Sequence, residues 1–506
     1  MRATRRETLK GAAATAIVAG GMMGETAKAS GGLAGLDYRD HDMLGLADMV
    51  RKKQVSPSEL LEEAIARTEA TDPRFNFMAQ KLYDYGRERI ARGLPDGPFT
   101  GVPFLEKDLH MHIAGTRFGQ GSRLYSGEVS SVTSELVKRH EAAGLVIFGK
   151  TTTPEFGLTG TTESIAYGPT RNPWNAEHSS GGSSGGASAA VAAGVIPGAH
   201  ASDGGGSIRI PASACGLVGL KPSRGRVPMG PLRTEGWGGM STNGAVTRSV
   251  RDTAALLDAT HGPEPGSRYS APTPDGTFLA HAGRDPGKLR IALMLDPVSG
   301  APVDGEVKDA LRASAKLCEE LGHHVEEAQP DIALPGMGEA NFALISTALA
   351  SDLDARAAKL GIAITTDVVE PIVYGFYLYG KSVSGIQVAS ANVTMQELAV
   401  AVARFMQDYD VILSPVMATP PARIGVHDLA KQDFAAWGEA ISAYIPFPGM
   451  FNATGQPSLS LPLGTSAGGL PIGSMFTGRF GDEATLLSLA GQIERAKPWF
   501  GRMPEV

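Results

Sequence analysis

Three glycines run into a serine in "HASDGGGSIRIPAS", residues 200–213. Glycine loses more backbone freedom on folding than any other residue, so three in succession weaken a strand or helix. They mark a place where backbone must come very close to something. Ser207, at the end of the run, is the candidate nucleophile. A serine hydroxyl attacks poorly unless a base takes its proton. His200 is near in sequence, but a Ser-His-Asp triad obeys no local spacing rule. A lysine serves as well when burial strips its charge and a second hydroxyl relays the proton. Lys107 in "PFLEKDL" stands just past an apolar strand, where burial is expected. In an extended segment its neighbours Glu106 and Asp108 point to the opposite face, away from the amine. Both bases remain open on the residues alone.

Two other patterns fail on context. "GLVIFGKT" (144–151) fits the G-x-x-x-x-G-K-[ST] phosphate-loop pattern. Its interior is Leu, Val, Ile and Phe, which belong in a sheet, whereas a phosphate cradle needs free backbone N–H groups. His110 and His112 in "HMH" have the look of paired metal ligands, but no further His and Asp set accompanies them. His323 and His324 are adjacent and point to different faces.

The elements that must position these residues can be read in outline. "SPSELLEEAIARTEA" carries Ser56 as N-cap, Pro57 at the first helical position and Glu59 to close a capping box. "FTGVPFLEKDL" reads as a strand entering a turn, "SELVKRHEAAG" as a helix stopped by Gly144, and "LVIFGKT" as a buried strand. "GASAAVAAGV" is a helix of very small residues suited to tight packing. "LRIALML", a helix over 304–321 and "HHVEEAQP" form a β-α-β unit. Further helices fit 339–360, 394–409 and 483–496, and strands fit "VILSPVM", "LSLPLG" and "PIGSMFTG". This alternation predicts an α/β layered fold. The Pro/Gly-rich stretch 261–287 reads as a surface excursion.

"GVPFLEKD", "GGSSGGASAAVAAG" and "SDGGGSIRIPASACGLVGLKPSRGRV" resemble the successive blocks of the amidase signature family. The resemblance extends to "RNPWN", "FNATGQPSLSLPLG" and "LPIG" and covers nearly all of residues 30–506. It is strongest toward the branch containing 6-aminohexanoate cyclic dimer hydrolases. The resemblance implies one catalytic domain, a large mixed β-sheet covered by helices on both faces, with no cofactor and no metal. It implies a Ser-cisSer-Lys triad. The nucleophile falls on Ser207, the bridging serine, preceding a cis peptide bond, on Ser183, 24 positions earlier, and the base on Lys107, 76 before that. Neutral Lys107 then draws a proton from Ser183 as Ser183 draws one from Ser207. The backbone N–H groups of Gly204, Gly205, Gly206 and Ser207 are expected to converge on the oxyanion. The family's specificity region maps to about 339–393, where Ser346, Tyr374 and Tyr377 are candidate wall residues. Its apolar lining implies small neutral amides, anilides or carbamates, linear or cyclic. A non-hydrolytic amide binder or an amide-transfer subunit is the alternative within the family. A metal-dependent amidohydrolase is the alternative outside it.

Residues 1–29 read as a separate object. Arg5 and Arg6 precede a weak apolar stretch, and "AKA" closes it, the layout of a twin-arginine export signal. The leader contributes +3 to the formal −7 of the whole chain, so a mature chain starting near Ser30 carries about −10. That balance leaves no basic excess to neutralise phosphates and argues against a nucleic-acid partner. No apolar run outside the leader is long enough to span a membrane. The implied partner is a small amide, and a homodimer is compatible with the sequence. Two cysteines, Cys215 and Cys318, do not make a disulfide scaffold and are expected as buried thiols. Replacing Arg5 and Arg6 by lysine is expected to retain the protein in the cytoplasm with its leader uncut. Cell fractionation with N-terminal sequencing checks this, and unchanged export overturns it.

Overall fold

Alternating side chains decide the central layer. In the strand Arg290–Leu293, Ile291 and Leu293 enter one hydrophobic cluster and Ala292 another. In Val411–Pro415, Val411 and Leu413 divide from Ile412 in the same way. Successive strand residues face opposite sides, so a strand that is apolar throughout must be covered on both. The computed structural model describes residues 38–332 and 336–506, and the export-leader reading lies outside the described residues.

An eight-stranded mixed sheet forms the centre. Its order is His324–Glu327, Arg290–Leu293, Val411–Pro415, Pro471–Gly478, Ser458–Thr465, Val218–Lys221, Thr242–Thr247 and Gly198–Asp203. The first three strands are parallel and the other pairings antiparallel. The helices Val250–Thr260, Gly305–Glu320 and Glu483–Ala496 cover one face. The helices Met337–Leu360, Pro371–Ser382, Gly385–Phe405 and Phe434–Tyr444 build the layer on the other. A three-stranded sheet, Met78–Lys81, Val146–Thr151 and Pro103–Lys107, lies beside the edge strand Gly198–Asp203. This is the layered α/β architecture expected from the sequence.

Local chemistry explains the elements that were legible. The Ser56–Glu59 capping box forms, and its helix runs Pro57–Phe75. Gly144 sits at φ +89°, beyond the helix Glu135–Ala142. The β-α-β unit forms with its strands parallel. One helix starts nine residues earlier than its polar pattern suggests, because Ser384 and Gln387 make a second capping box ahead of Gly385–Phe405. Cys215 and Cys318 are both buried and free.

Two helices over the sheet cross at Gly380, where an added Cβ would lie 2.1 Å from the Ser346 carbonyl oxygen. Gly380→Ala must push Pro371–Ser382 off Met337–Leu360. We expect a loss of about 1–3 kcal/mol from this overpacking. Gly305→Ala, with open space around its Cβ, should leave the melting temperature unchanged. Thermal denaturation of both variants checks the crossing.

Candidate active site

The strand Pro103–Lys107 is buried along its whole length and delivers Lys107 to the interior. Lys107 Nζ donates to Ser183 Oγ at 2.8 Å and to Ser202 Oγ at 3.1 Å. Burial pushes the amine down to about 7, against the upward pull of Asp203. Glu106 and Asp108 point away, as the strand pleat requires. Glu106 meets His140 Nδ1 at 2.7 Å, and Asp108 accepts from the Tyr167 hydroxyl at 2.7 Å. Two more lysines are buried. Lys221 is pushed down to about 7 by burial and by Arg209, yet its Nζ donates to the Pro222 carbonyl. Lys150 donates to the Arg117 carbonyl. A lowered pKa therefore does not single out a base. The serine contact does, and among these three lysines only Lys107 makes one.

Ser183 arrives through a tightly packed segment. The peptide Gly182–Ser183 is cis, so the cis bond lies before this serine and not after it. A Cβ on Gly182 would lie 2.3 Å from the Thr161 carbonyl oxygen, and one on Gly185 or Gly186 2.4 Å from a threonine hydroxyl. The helix Gly185–Ala192 that follows is buried at every residue. Ser184 N–H donates to the Ser207 carbonyl at 3.3 Å, which ties this segment to the glycine loop.

The loop itself is shaped by Asp203. Burial works to raise this carboxyl, but the Arg209 guanidinium outweighs it and holds the group well below the usual carboxylate range. Arg209 donates to both oxygens at 3.0 Å, and Asn452 Nδ2 donates at 2.8 Å. Gly206 N–H donates to Asp203 Oδ1 at 2.7 Å, and Ile208 N–H to Oδ2 at 3.0 Å. This corrects the expected oxyanion set. Gly206 is engaged, and the N–H groups without a protein acceptor are those of Gly204, Gly205 and Ser207. The glycines also differ in purpose. Gly206 holds φ +128°. A Cβ on Gly204 would strike the Trp237 ring at 2.5 Å, while one on Gly205 would meet nothing. Gly205 is the glycine that opens to the cavity.

His200 is placed otherwise than a triad base requires. Its Nδ1 accepts from the Lys107 backbone N–H at 3.2 Å, and its Nε2 faces Asn243 Oδ1 at 3.3 Å. Both ring nitrogens are engaged, and burial pushes the imidazole down to about 4. Its role is to seat the strand that carries Lys107.

Ser207 and Gly205 open onto a cavity of about 850 Å³. Phe342, Ile345, Phe376, Trp437 and Ile441 supply its apolar wall, and Asn341, Glu339 and Glu439 are among its polar members. The expected wall residues are off by helical register. Ser346 is wholly buried at the Gly380 crossing. Tyr374 and Tyr377 stack on each other at 6.1 Å, and the Tyr377 hydroxyl donates to Asp354. Their neighbours Ile345, Phe376 and Tyr379 line the cavity instead. His112 stacks on Phe118, and no group of three metal-ligating side chains occurs among the described residues.

A sequence model of the amidase family matches residues 59–487. The chain is 37% identical over 482 residues to a 6-aminohexanoate-cyclic-dimer hydrolase of Paenarthrobacter ureafaciens, covering 92% of this chain and 96% of that one. It is 38% identical to a putative amidase of Mycobacterium leprae over 91% of this chain and 96% of that one. A solved 6-aminohexanoate cyclic dimer hydrolase superposes with a TM-score of 0.87 at 36% identity, covering 93% of this chain and 99% of that chain. A bacterial aryl acylamidase superposes with a TM-score of 0.82 at 28% identity, over 91% and 96% of the two chains.

If neutral Lys107 is the base, activity has an acid limb. Protonation below its pKa of about 7 removes the base, so kcat/KM should rise with pH and level off above about 8. Lys107→Arg should be as damaging as Lys107→Ala, since arginine keeps its proton. His200→Ala should cost far less. A thousandfold loss in His200→Ala with a near-active Lys107→Ala would reverse the assignment.

Proposed function

This chain belongs to the amidase signature family and hydrolyses amide C–N bonds, and from that premise we propose that it does so through an acyl-enzyme on Ser207. Neutral Lys107 takes the Ser183 proton, and Ser183 takes the Ser207 proton as Oγ attacks the carbonyl carbon. The resulting oxyanion is met by N–H groups of the glycine loop, among which Gly205 and Ser207 border the cavity. The proton returns through Ser183 to the leaving nitrogen, the C–N bond breaks and the amine departs. Water then attacks the ester along the same relay and frees the acid. The observation that carries this reading is the 2.8 Å contact between an amine lowered to about 7 and Ser183 Oγ.

The substrates are small, neutral and largely apolar amides, anilides or carbamates. The aromatic and aliphatic wall supports this, as do Glu339 and Glu439, exposed residues that border the cavity and disfavour anions. Relatives named for a cyclic dimer of 6-aminohexanoate and for aryl acylamides support cyclic and aryl amides as the first classes to try. The twin-arginine pattern of residues 1–29 supports a bacterial enzyme exported to the periplasm or secreted.

Ser207→Ala should lower kcat on a reactive anilide by at least about 10⁴, in line with removing a catalytic nucleophile. Intact-protein mass spectrometry after acid quench should show an acyl adduct on the unmutated chain and none on the variant. Undiminished turnover in Ser207→Ala would end the acyl-enzyme reading. Across a panel matched in size, neutral apolar amides should exceed acidic ones in kcat/KM at least tenfold.

A further inference from the structure

A second cavity, of about 410 Å³, lies behind Trp237. Trp237 borders it and the cavity over Ser207 alike. The six-membered part of the indole rests on Gly204, the first residue of the glycine run, and Ser241 of the second cavity is next to the same glycine. The two spaces thus converge on one reactive loop from either side of a single ring.

Both linings carry apolar side chains, Phe118 and Leu232 among those of the second cavity, and they differ in their polar groups. The Ser207 cavity is mainly apolar, and the second is lined by His110, Gln120, Ser130, Arg233 and Glu235 among others. Its charges are compensated within the protein. Arg233 pairs with Asp352, Arg356 and Lys359 pair with Glu128, and Glu235 pairs with Arg268. Three groups have unused hydrogen-bonding capacity. Gln120 is only 5% exposed, and its Oε1 has no partner. Glu235 gives one oxygen to Arg268 and leaves Oε2 unpartnered. The His110 ring is exposed to the cavity and makes no hydrogen bond within the protein, so it can offer a ligand a donor and, when neutral, an acceptor. For Gln120 and Glu235 the unpartnered oxygen is buried, which is costly, and a ligand bond removes that cost.

We infer that the second cavity is a substrate subsite for an uncharged end group that both donates and accepts hydrogen bonds, a carboxamide or a hydroxyl. It rests on the reading of Ser207 as nucleophile. The scissile amide lies on the glycine loop, its apolar substituent fills the large cavity, and its polar end passes Trp237 to Gln120 and His110. An anionic end finds no free cation there, and a cationic end competes with Arg268 for Glu235. An apolar end leaves the buried Gln120 and Glu235 oxygens unsatisfied and the His110 ring unused.

Binding to Ser207→Ala tests this without turnover. Two amides are compared by calorimetry, identical except that one ends in a carboxamide and the other in the isosteric isopropyl group. The carboxamide should bind at least tenfold tighter. Adding His110→Gly, which suits the left-handed backbone at φ +58°, should remove most of that preference while leaving the isopropyl compound within twofold. Gln120→Leu should act in the same direction, and circular dichroism verifies folding of each variant. Equal affinity for the two amides in the parent overturns the subsite, as does a loss in the variants that is the same for both. Persistent hydrolysis by Ser207→Ala would strike at the nucleophile instead, and the two failures are read from separate measurements.

Discussion

A carboxylate taken out of water costs several kcal/mol unless protein charges and hydrogen bonds replace its hydration. Asp203 is wholly buried, and the chain around it is arranged to meet that cost. Arg209 supplies the charge, and Gly206, Ile208 and Asn452 add further donors. Gathering two backbone N–H groups onto one side chain curls the loop, and the curl leaves Ser207 at its crest. The same carboxylate is what opposes burial in setting the Lys107 amine. Loop shape and base strength therefore share a cause. If Arg209 were lost, Asp203 would be both a weaker clamp and a less compensated charge beside the lysine, so the two halves of the relay would fail together.

Close packing is the second constraint. An amine falls toward 7 only where water is excluded, and exclusion around Lys107 depends on the segment 181–194, whose glycines, serines and alanines allow threonine and backbone atoms to approach within distances a Cβ would forbid. The other side of the site is built from long helices with aromatic side chains, and there the packing leaves a cavity. One region is too tight to vary and holds the chemistry. The other has room and holds the specificity.

What could be read from the sequence follows the same division. The capping box at Ser56, the alternating strands and the glycine-flanked serines are local signals, and their physical meaning survives folding. The orientation of Glu106 and Asp108 needed only the pleat of a strand. The cavity wall was misread because helical register is decided elsewhere. Ser346 turns inward at Gly380, a contact between segments 34 residues apart, so Ile345 faces the cavity in its place. Gly206 was misassigned because the fate of its N–H depends on a carboxylate whose direction no spacing reveals. Lys221 was overlooked for the opposite reason. Nothing in "GLKPSRGRV" distinguishes a buried lysine from an exposed one, and its burial comes from the middle of the sheet.

The partition between the two cavities shows how far one anchor reaches. Trp237 sits at φ +52°, a conformation uncommon for a bulky residue and maintained only where surroundings impose it. Arg224 ties this turn to the helix beside it, donating to the carbonyls of Gly239, Asn452 and Ala453. Asn452 in turn donates to Asp203 and to the Met240 carbonyl just past the tryptophan turn. The short helix Pro448–Thr454 thus grips the nucleophile loop with one residue and the dividing wall through the same residue. Gly204 completes the arrangement by presenting no side chain to the indole. The three glycines answer to three demands: room for the wall, access for the substrate and a left-handed turn for the clamp. A substitution at any one would be felt at a different part of the reaction.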